Sequence, residues 1–213
     1  MRIGFLYDPA NDWLAQHFPR EAFAGRFAGR YSFEEHRDPD RVEGCAVVFL
    51  LGCTRLVPQS FLQRNGLTLV VHESALPEGR GFAPVQWQVL EGRSEIPLCL
   101  IEAVPEADAG DILATGVLRL DGSELYDEMR AKQAAATFEL VQGFLERYPE
   151  LQRIPQAGEP SRYARRTPAD SELCVDKTLR EQFNLLRIGN NEAWPSFFVL
   201  NGHKYILTIR KAK

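Results

Sequence analysis

Two apolar runs limit what this chain can fold into. Residues 45–52 read C-A-V-V-F-L-L-G, a near-continuous hydrophobic stretch of the kind that central parallel strands carry when both their faces are covered. Pro58 then opens a short helical pattern, Q-S-F-L-Q-R, which Asn65-Gly66 ends. A second buried run, L-T-L-V-V, follows at once and finishes in His72. Strand, helix and strand within about 30 residues make one right-handed crossover unit of an α/β sheet.

The rest of the chain extends that unit. Arg2 to Asp8 reads as a first strand, followed by helical patterns at Trp13, Leu14 and Phe18 and, beyond Pro19, at Phe23 and Phe27. A Gly- and Pro-rich loop spans Leu76 to Pro84, with a helix expected at Val85–Leu90 and strands at Ile96–Ala103 and Ile112–Leu120. Asp121, with Glu124 three residues on, is the pattern of a capping box, so a long helix is expected over 122–148. Leu125, Met129, Ala136, Leu140, Phe144 and Tyr148 share one of its faces, and Pro149 stops it. From Ile154 the composition turns to Pro, Gly and Arg, then a helix is expected at Leu179–Arg187. The end is a hairpin, because Asn201-Gly202 between two apolar runs supplies the positive φ angles of a tight turn.

Charge and cysteine usage narrow the function. Acidic residues exceed basic ones, 29 to 25, so the net charge of −4 does not draw in polyanions, and no nucleic-acid partner is expected. The longest apolar run, Cys45 to Cys53, falls far short of the roughly 20 residues a membrane helix needs. Asp8 and Asp12 interrupt the N-terminal stretch, which therefore reads as a strand and not a signal peptide. Four cysteines without a C-x-x-C pair suggest reduced thiols and no metal site. The expected setting is cytoplasmic, without a membrane partner.

His72 ends a buried strand, and the carboxyl ends of parallel strands form the ligand crevice of such sheets. Asp108 lies in a Gly-containing turn after another strand and can reach the same edge. A histidine beside a carboxylate suits oxyanion stabilisation or proton transfer. On pattern alone, a structural histidine fits the same place.

The stretch from His72 to Pro84, H-E-S-A-L-P-E-G-R-G-F-A-P, resembles the N-x-H-x-S-L-L-P-x-x-R-G-x-x-P signature of folate-dependent formyltransferases. Residues 107–113, A-D-A-G-D-I-L, are similar to that family's D-x-G-D segment, at the family's separation. The resemblance implies an α/β, Rossmann-like domain with a mainly parallel sheet over 1–153. A C-terminal extension over 154–213, with a short helix and the hairpin, would pack on the same domain. It implies 10-formyltetrahydrofolate as cosubstrate, no metal, and His72 and Asp108 as catalytic residues. The family's Asn falls on Val70, which offers no side-chain hydrogen bond; backbone N–H groups or Ser74 are the candidate substitutes. Leu76, Pro77, Gly81 and Ala107 are implied to meet the folate. So are Arg55, Leu56 and Val57, in a segment F-L-L-G-C-T-R-L-V-P that also reads as a plain strand end and turn.

The last third, with Y-A-R-R-T-P-A-D-S at 163–171, F-N-L-L-R-I at 183–188 and W-P-S-F-F at 194–198, resembles the tail of sugar-nucleotide N-formyltransferases. That likeness implies a small-molecule acceptor, the amine of a nucleotide-linked 4-amino-4,6-dideoxy sugar used in surface glycan or nonulosonic acid synthesis. Arg80, Arg165, Arg166, Arg187 and Trp194 are the expected substrate contacts, with Arg162 beside them, since guanidinium groups bind phosphate bidentately. A structural turn of Arg165, Arg166 and Asp170 is the alternative. A methionyl-tRNA member would be expected to be longer and basic. A glycinamide-ribonucleotide member would carry a Gly- and Ser-rich phosphate loop where Y-D-P-A-N-D-W-L stands. A non-catalytic folate- or sugar-nucleotide-binding module remains open, and a homodimer is expected by analogy.

Overall fold

The computed structural model describes residues 1–212. Its first strand, β1 (Arg2–Tyr7), leads into two short helices, α1 (Trp13–Gln16) and α2 (Arg20–Arg26), and then into β2 (Ser32–His36). The predicted crossover follows as β3 (Val47–Leu51), α3 (Gln59–Arg64) and β4 (Leu67–His72). Next come a two-residue strand β5 (Arg80–Gly81), α4 (Pro84–Leu90), β6 (Glu95–Glu102) and β7 (Ile112–Arg119). The long helix α5 (Tyr126–Arg147), β8 (Arg162–Tyr163), α6 (Phe183–Arg187), and the hairpin β9 (Ser196–Leu200) and β10 (His203–Leu207) complete the chain.

The main sheet runs β2-β1-β3-β4-β6-β7. Its first four strands are mutually parallel, β6 is antiparallel to β4, and β7 is antiparallel to β6. Register assigns each side chain to a face. Phe5, Phe49 and Leu69 form one row across β1, β3 and β4. That row packs on α5, where Phe138 lies 6.4 Å from Phe5 and Phe144 lies 5.9 Å from Phe49, centroid to centroid. Fully burying one such ring contributes about 2–3 kcal/mol. The alternate row, Leu6, Leu50, Val70 and Ile101, faces the other way, and His72 lies on that same face because it stands two residues beyond Val70.

Three elements depart from the sequence reading. The strand β2 was not expected, because S-F-E-E-H is too polar for a buried strand; it survives as a sheet edge that, among the described residues, pairs only with β1. The helix α5 begins at Tyr126, not at 122, since Gly122 adopts φ 91° and breaks the helix there. Glu124 still accepts the Asp121 and Gly122 N–H groups at 2.7 and 3.1 Å, closing a turn, and Glu128 supplies the actual cap by accepting from Leu125 N–H at 2.9 Å. Of the helix expected at Leu179–Arg187 only the last five residues form. The Gln182 side chain instead bonds the Cys174 backbone at 2.7 and 3.0 Å, holding an irregular loop that leaves Leu179 exposed. The hairpin forms as expected, with Asn201 at φ 50° and Gly202 at φ 79°. Among the described residues no helix is long and apolar enough to cross a membrane.

Candidate active site

The chain leaves β1 for β2 on one side and returns to β3 on the other, so the crevice of this sheet opens at the carboxyl ends of β1, β3 and β4. Two contacts brace its rim. Asp8, just past β1, accepts the Thr54 N–H and hydroxyl at 3.1 and 2.6 Å, and these bonds, the hydroxyl's foremost, hold its carboxyl below the usual range. Asn11 donates to the Gly52 carbonyl at 2.8 Å. A cleft of about 830 Å³ lies there, within the size of typical small-molecule sites.

His72, only 5 % exposed, stands in that cleft. Its Nε2 is 2.9 Å from the Gly79 carbonyl; a carbonyl only accepts, so Nε2 carries a proton. Its Nδ1 lies 3.6 Å from Asp108 Oδ1. Asp108 is fixed through its backbone and its other oxygen. It adopts φ 57°, Oδ2 accepts the Gly81 N–H at 2.9 Å, and its carbonyl accepts from Gln156 Nε2 at 2.8 Å. Gly81 is required here: at φ 102° a Cβ would sit 2.4 Å from the Tyr163 carbonyl oxygen. The loop carrying Gly79 is tied to the last third of the chain, because Ser161 Oγ accepts the Gly79 N–H at 2.9 Å and β5 pairs with β8. The sequence reading brought His72 and Asp108 together, and so does the structure.

The other expected residues divide. Arg55, Leu56, Val57, Gly81 and Ala107 line the cleft. So do Arg162, Arg165, Arg166 and Trp194. The Arg165 guanidinium lies 4.5 Å from the Phe82 ring centre, and Arg166 lies 5.6 Å from that of Trp87. Arg166 also donates to the Asp170 carbonyl at 2.7 Å, while the Asp170 carboxylate caps Thr167; burial lowers the Arg166 pKa.

Four expected contacts lie elsewhere. Leu76 is buried against Cys99 and Ile101, and the Pro77 carbonyl accepts the Ser161 N–H at 3.3 Å; both shape the His72 loop without lining the cleft. Arg80 is spent on Gln156 at 2.8 Å and Glu106 at 3.3 Å, so it braces the Asp108 turn and not a substrate. Arg187 is 3 % exposed, donates to Asn184 Oδ1 at 2.8 Å and pairs with Glu124 at 3.5 Å. Burial lowers its pKa despite that carboxylate, and it ties α6 to the turn that precedes α5. Ser74, a candidate for the missing donor, gives its hydroxyl to the Glu78 carbonyl at 2.7 Å and is buried away from the cleft.

Sequence reasoning also missed part of the site. The sequence singles out only the apolar face of α5, yet Tyr126, Arg130 and Gln133 of its first turns line the cleft. The Arg130 guanidinium lies 4.4 Å from the Trp13 ring centre and 5.1 Å from that of Tyr126, and it donates to Gln133 Oε1 at 2.9 Å. An Arg and a Gln at helical spacing beside buried Met129 and Ala134 were the available signal.

Comparison with known proteins accords with this geometry. The formyl transferase family model matches residues 30–143. Among curated relatives, methionyl-tRNA formyltransferase of Sulfurihydrogenibium is 30 % identical over 62 % of this chain and 42 % of its own length. That of Francisella philomiragia is 30 % identical over 74 % of this chain and 51 % of its own. The chain thus spans about half the length of the curated relatives it matches. Solved structures share the fold. Methionyl-tRNA formyltransferase from Clostridium thermocellum superposes with TM-score 0.77 at 20 % identity, over 100 % of this chain and 94 % of that one. A sugar N-formyltransferase from Shewanella gives 0.74 at 14 %, over 100 % and 99 %. HypX from Aquifex aeolicus, crystallised with tetrahydrofolic acid, gives 0.74 at 18 %, over 98 % and 37 %. With the His72–Asp108 pair at the end of β4 inside the matched region, the chain belongs to the formyl transferase family.

Proposed function

We propose that this protein transfers a formyl group from 10-formyltetrahydrofolate to the amine of a nucleotide-linked aminosugar, of the 4-amino-4,6-dideoxy type. One observation carries the reading: His72 and a backbone-anchored Asp108 stand between two walls of unlike chemistry. Val57, Val70, Ile101 and Ala103 make an apolar wall on the sheet face away from α5. The Leu56 and Val57 N–H groups beside it have no partner among the described residues, which suits the flat, polar-edged ring of a folate. On the α5 side Arg130, Arg165, Arg166 and Trp194 suit phosphate and a sugar or base face.

Bound along the apolar wall, the formylated folate supplies the electrophilic one-carbon unit. Nε2–H is given to the Gly79 carbonyl, so His72 serves the oxygen on which negative charge develops from its Nδ1 edge, where Asp108 stands 3.6 Å away and shares the charge the ring takes up. Removing one such donor typically costs about 3 kcal/mol. With Val70 in place of an amide and Ser74 engaged elsewhere, backbone N–H groups and His72 carry that load.

Support for a sugar acceptor comes from the acidic balance, 29 to 25, and from the likeness to the Shewanella enzyme along its length. The competing acceptor is methionyl-tRNA, favoured by the names of the curated relatives and by the equally extensive likeness to the Clostridium thermocellum structure. The deciding experiment supplies 10-formyltetrahydrofolate with dTDP-4-amino-4,6-dideoxyglucose, its UDP counterpart, glycinamide ribonucleotide and methionyl-tRNA. The formamide product is followed by mass spectrometry. Highest kcat/KM is expected with an aminosugar nucleotide. Preference for methionyl-tRNA would overturn the sugar reading, and folate binding without turnover of any acceptor would make the protein a binding module.

A further inference from the structure

Glu73 follows His72 directly, so the two side chains leave the end of β4 toward opposite faces of the sheet. His72 turns to the apolar wall, and Glu73 turns to α5, where its Oε1 accepts from Gln133 Nε2 at 2.6 Å. The carboxylate is half-buried and lines the cleft. Arg130, Arg165 and Arg166 share that cleft, yet Glu73 forms no ion pair among the described residues. Gln133 explains why. Its amide oxygen accepts from Arg130 and its nitrogen donates to Glu73, so a neutral group is held between guanidinium and carboxylate. Stacking on Trp13 and Tyr126 keeps the Arg130 cation turned to its own side. The Glu73 backbone is fixed as well, its carbonyl accepting from Gln88 Nε2 at 2.6 Å. A carboxylate offers about four lone-pair positions, and the described residues fill one of this one's.

We infer that Glu73 receives the acceptor's amine as an ammonium ion and sets it beside His72, selecting cationic amines over hydroxyl counterparts. The inference rests on the proposed formyl transfer to an amine and names the residue that recognises it. An ammonium group has no lone pair and must lose a proton before it attacks. That proton passes to the Glu73 carboxylate, and the freed lone pair forms the bond to the formyl carbon. The bond between that carbon and the folate nitrogen breaks, a second amine proton ends on the folate nitrogen, and Glu73 releases the first to solvent. The charged and titratable groups that share the cleft with Glu73 are His72, Asp108, Glu102, Glu106, Arg55, Arg130, Arg162, Arg165, Arg166, the Cys53 thiol and the Tyr126 phenol.

The test compares wild type, Glu73→Gln and Glu73→Asp with dTDP-4-amino-4,6-dideoxyglucose as acceptor, and with methylamine as the smallest primary amine. Glu73→Gln is expected to lower kcat/KM about 10- to 100-fold near pH 7, the scale of a hydrogen bond to a charged partner. The deficit should narrow toward pH 10, where the amine is increasingly uncharged. The Kd for tetrahydrofolate, read by calorimetry, stays unchanged, which also shows the variant is folded. Glu73→Asp keeps the charge and should keep most of the activity. Wild-type kcat/KM in Glu73→Gln, an equal deficit at both pH values, or parallel loss of folate affinity would each overturn the assignment. Should wild type accept methylamine but not the sugar nucleotide, the sugar reading fails and the Glu73 comparison is made on methylamine. Should it formylate neither of these amines, nor glycinamide ribonucleotide nor methionyl-tRNA, while binding folate, the reading of amine formylation fails, and the assignment with it.

Discussion

Asp108 faces two ways: one carboxylate oxygen lies 3.6 Å from His72 Nδ1 and the other accepts the Gly81 N–H at 2.9 Å. The anchoring bond is to the backbone of the very loop whose Gly79 carbonyl holds the other ring nitrogen of His72. Loss of the carboxylate therefore frees the ring and also loosens its support.

His72→Ala and Asp108→Ala should each lower turnover by at least about a hundredfold, the usual cost of removing an acid–base or oxyanion group. Asp108→Asn should recover part of the loss, because an amide oxygen still accepts the Gly81 N–H while the charge is gone. Steady-state rates with 10-formyltetrahydrofolate check this, and near-wild-type turnover in His72→Ala would end the mechanism.

Val70→Asn tests the departure from the family motif. The position lies between Leu50 and Ile101 across the sheet, and neither side chain offers the new amide a partner. The variant is expected to gain no turnover and to lose about 1–3 kcal/mol of stability, the cost of an unpaired amide. Several-fold faster turnover at unchanged affinity would show that the site lacks a donor.

Arg187→Ala should unfold early and bind normally. It leaves Glu124 buried with Lys132 as its one remaining cation among the described residues, and breaking a buried ion pair costs about 3–5 kcal/mol. For a domain of this size each kcal/mol lowers Tm by about 2–4 °C. Calorimetric scans and tetrahydrofolate titration on the same sample separate the two effects. Weakened sugar-nucleotide binding at unchanged Tm would restore Arg187 to the substrate.

Asp8 gives a pH signature. Its carboxyl is held below the usual carboxylate range, first by the Thr54 hydroxyl, so the folded state prefers the ionised form. That contribution to stability is fully present above the unfolded value and is lost as pH falls through the lowered folded one. Asp8→Asn should therefore be less stable than wild type at neutral pH, and the two denaturation midpoints should converge in acid. A difference that stays constant from neutral pH down to about pH 2 would contradict the role of Thr54.

How much of this was legible depended on the reach of each signal. Runs such as V-V-F-L-L and L-T-L-V-V announce buried strands by themselves, and Asn201-Gly202 announces its turn, because the physics is local. Two motifs in order were enough to pair His72 with Asp108. Arg187 misled because its partner Glu124 stands 63 residues earlier, and no local pattern distinguishes an arginine bound for the interior from one bound for phosphate. The same holds for Glu73, whose open carboxylate depends on a glutamine 60 residues away. The strand β2 was missed because an edge strand need not be apolar on both faces.

The pairing of Arg80 with Arg162 and of Gly81 with Tyr163 has a kinetic consequence. The Gly79 N–H reaches Ser161, 82 positions away, so the loop that orients the imidazole is clamped by chain made long after His72 itself. During synthesis, at about 5–20 residues per second, several seconds separate the ribosome's passage over these two segments. The sheet can assemble in that interval while the reacting centre stays open. Once α5 has emerged, a nascent protein of this kind holds every strand of its main sheet and still lacks the clamp on its imidazole loop, so shape can precede chemistry.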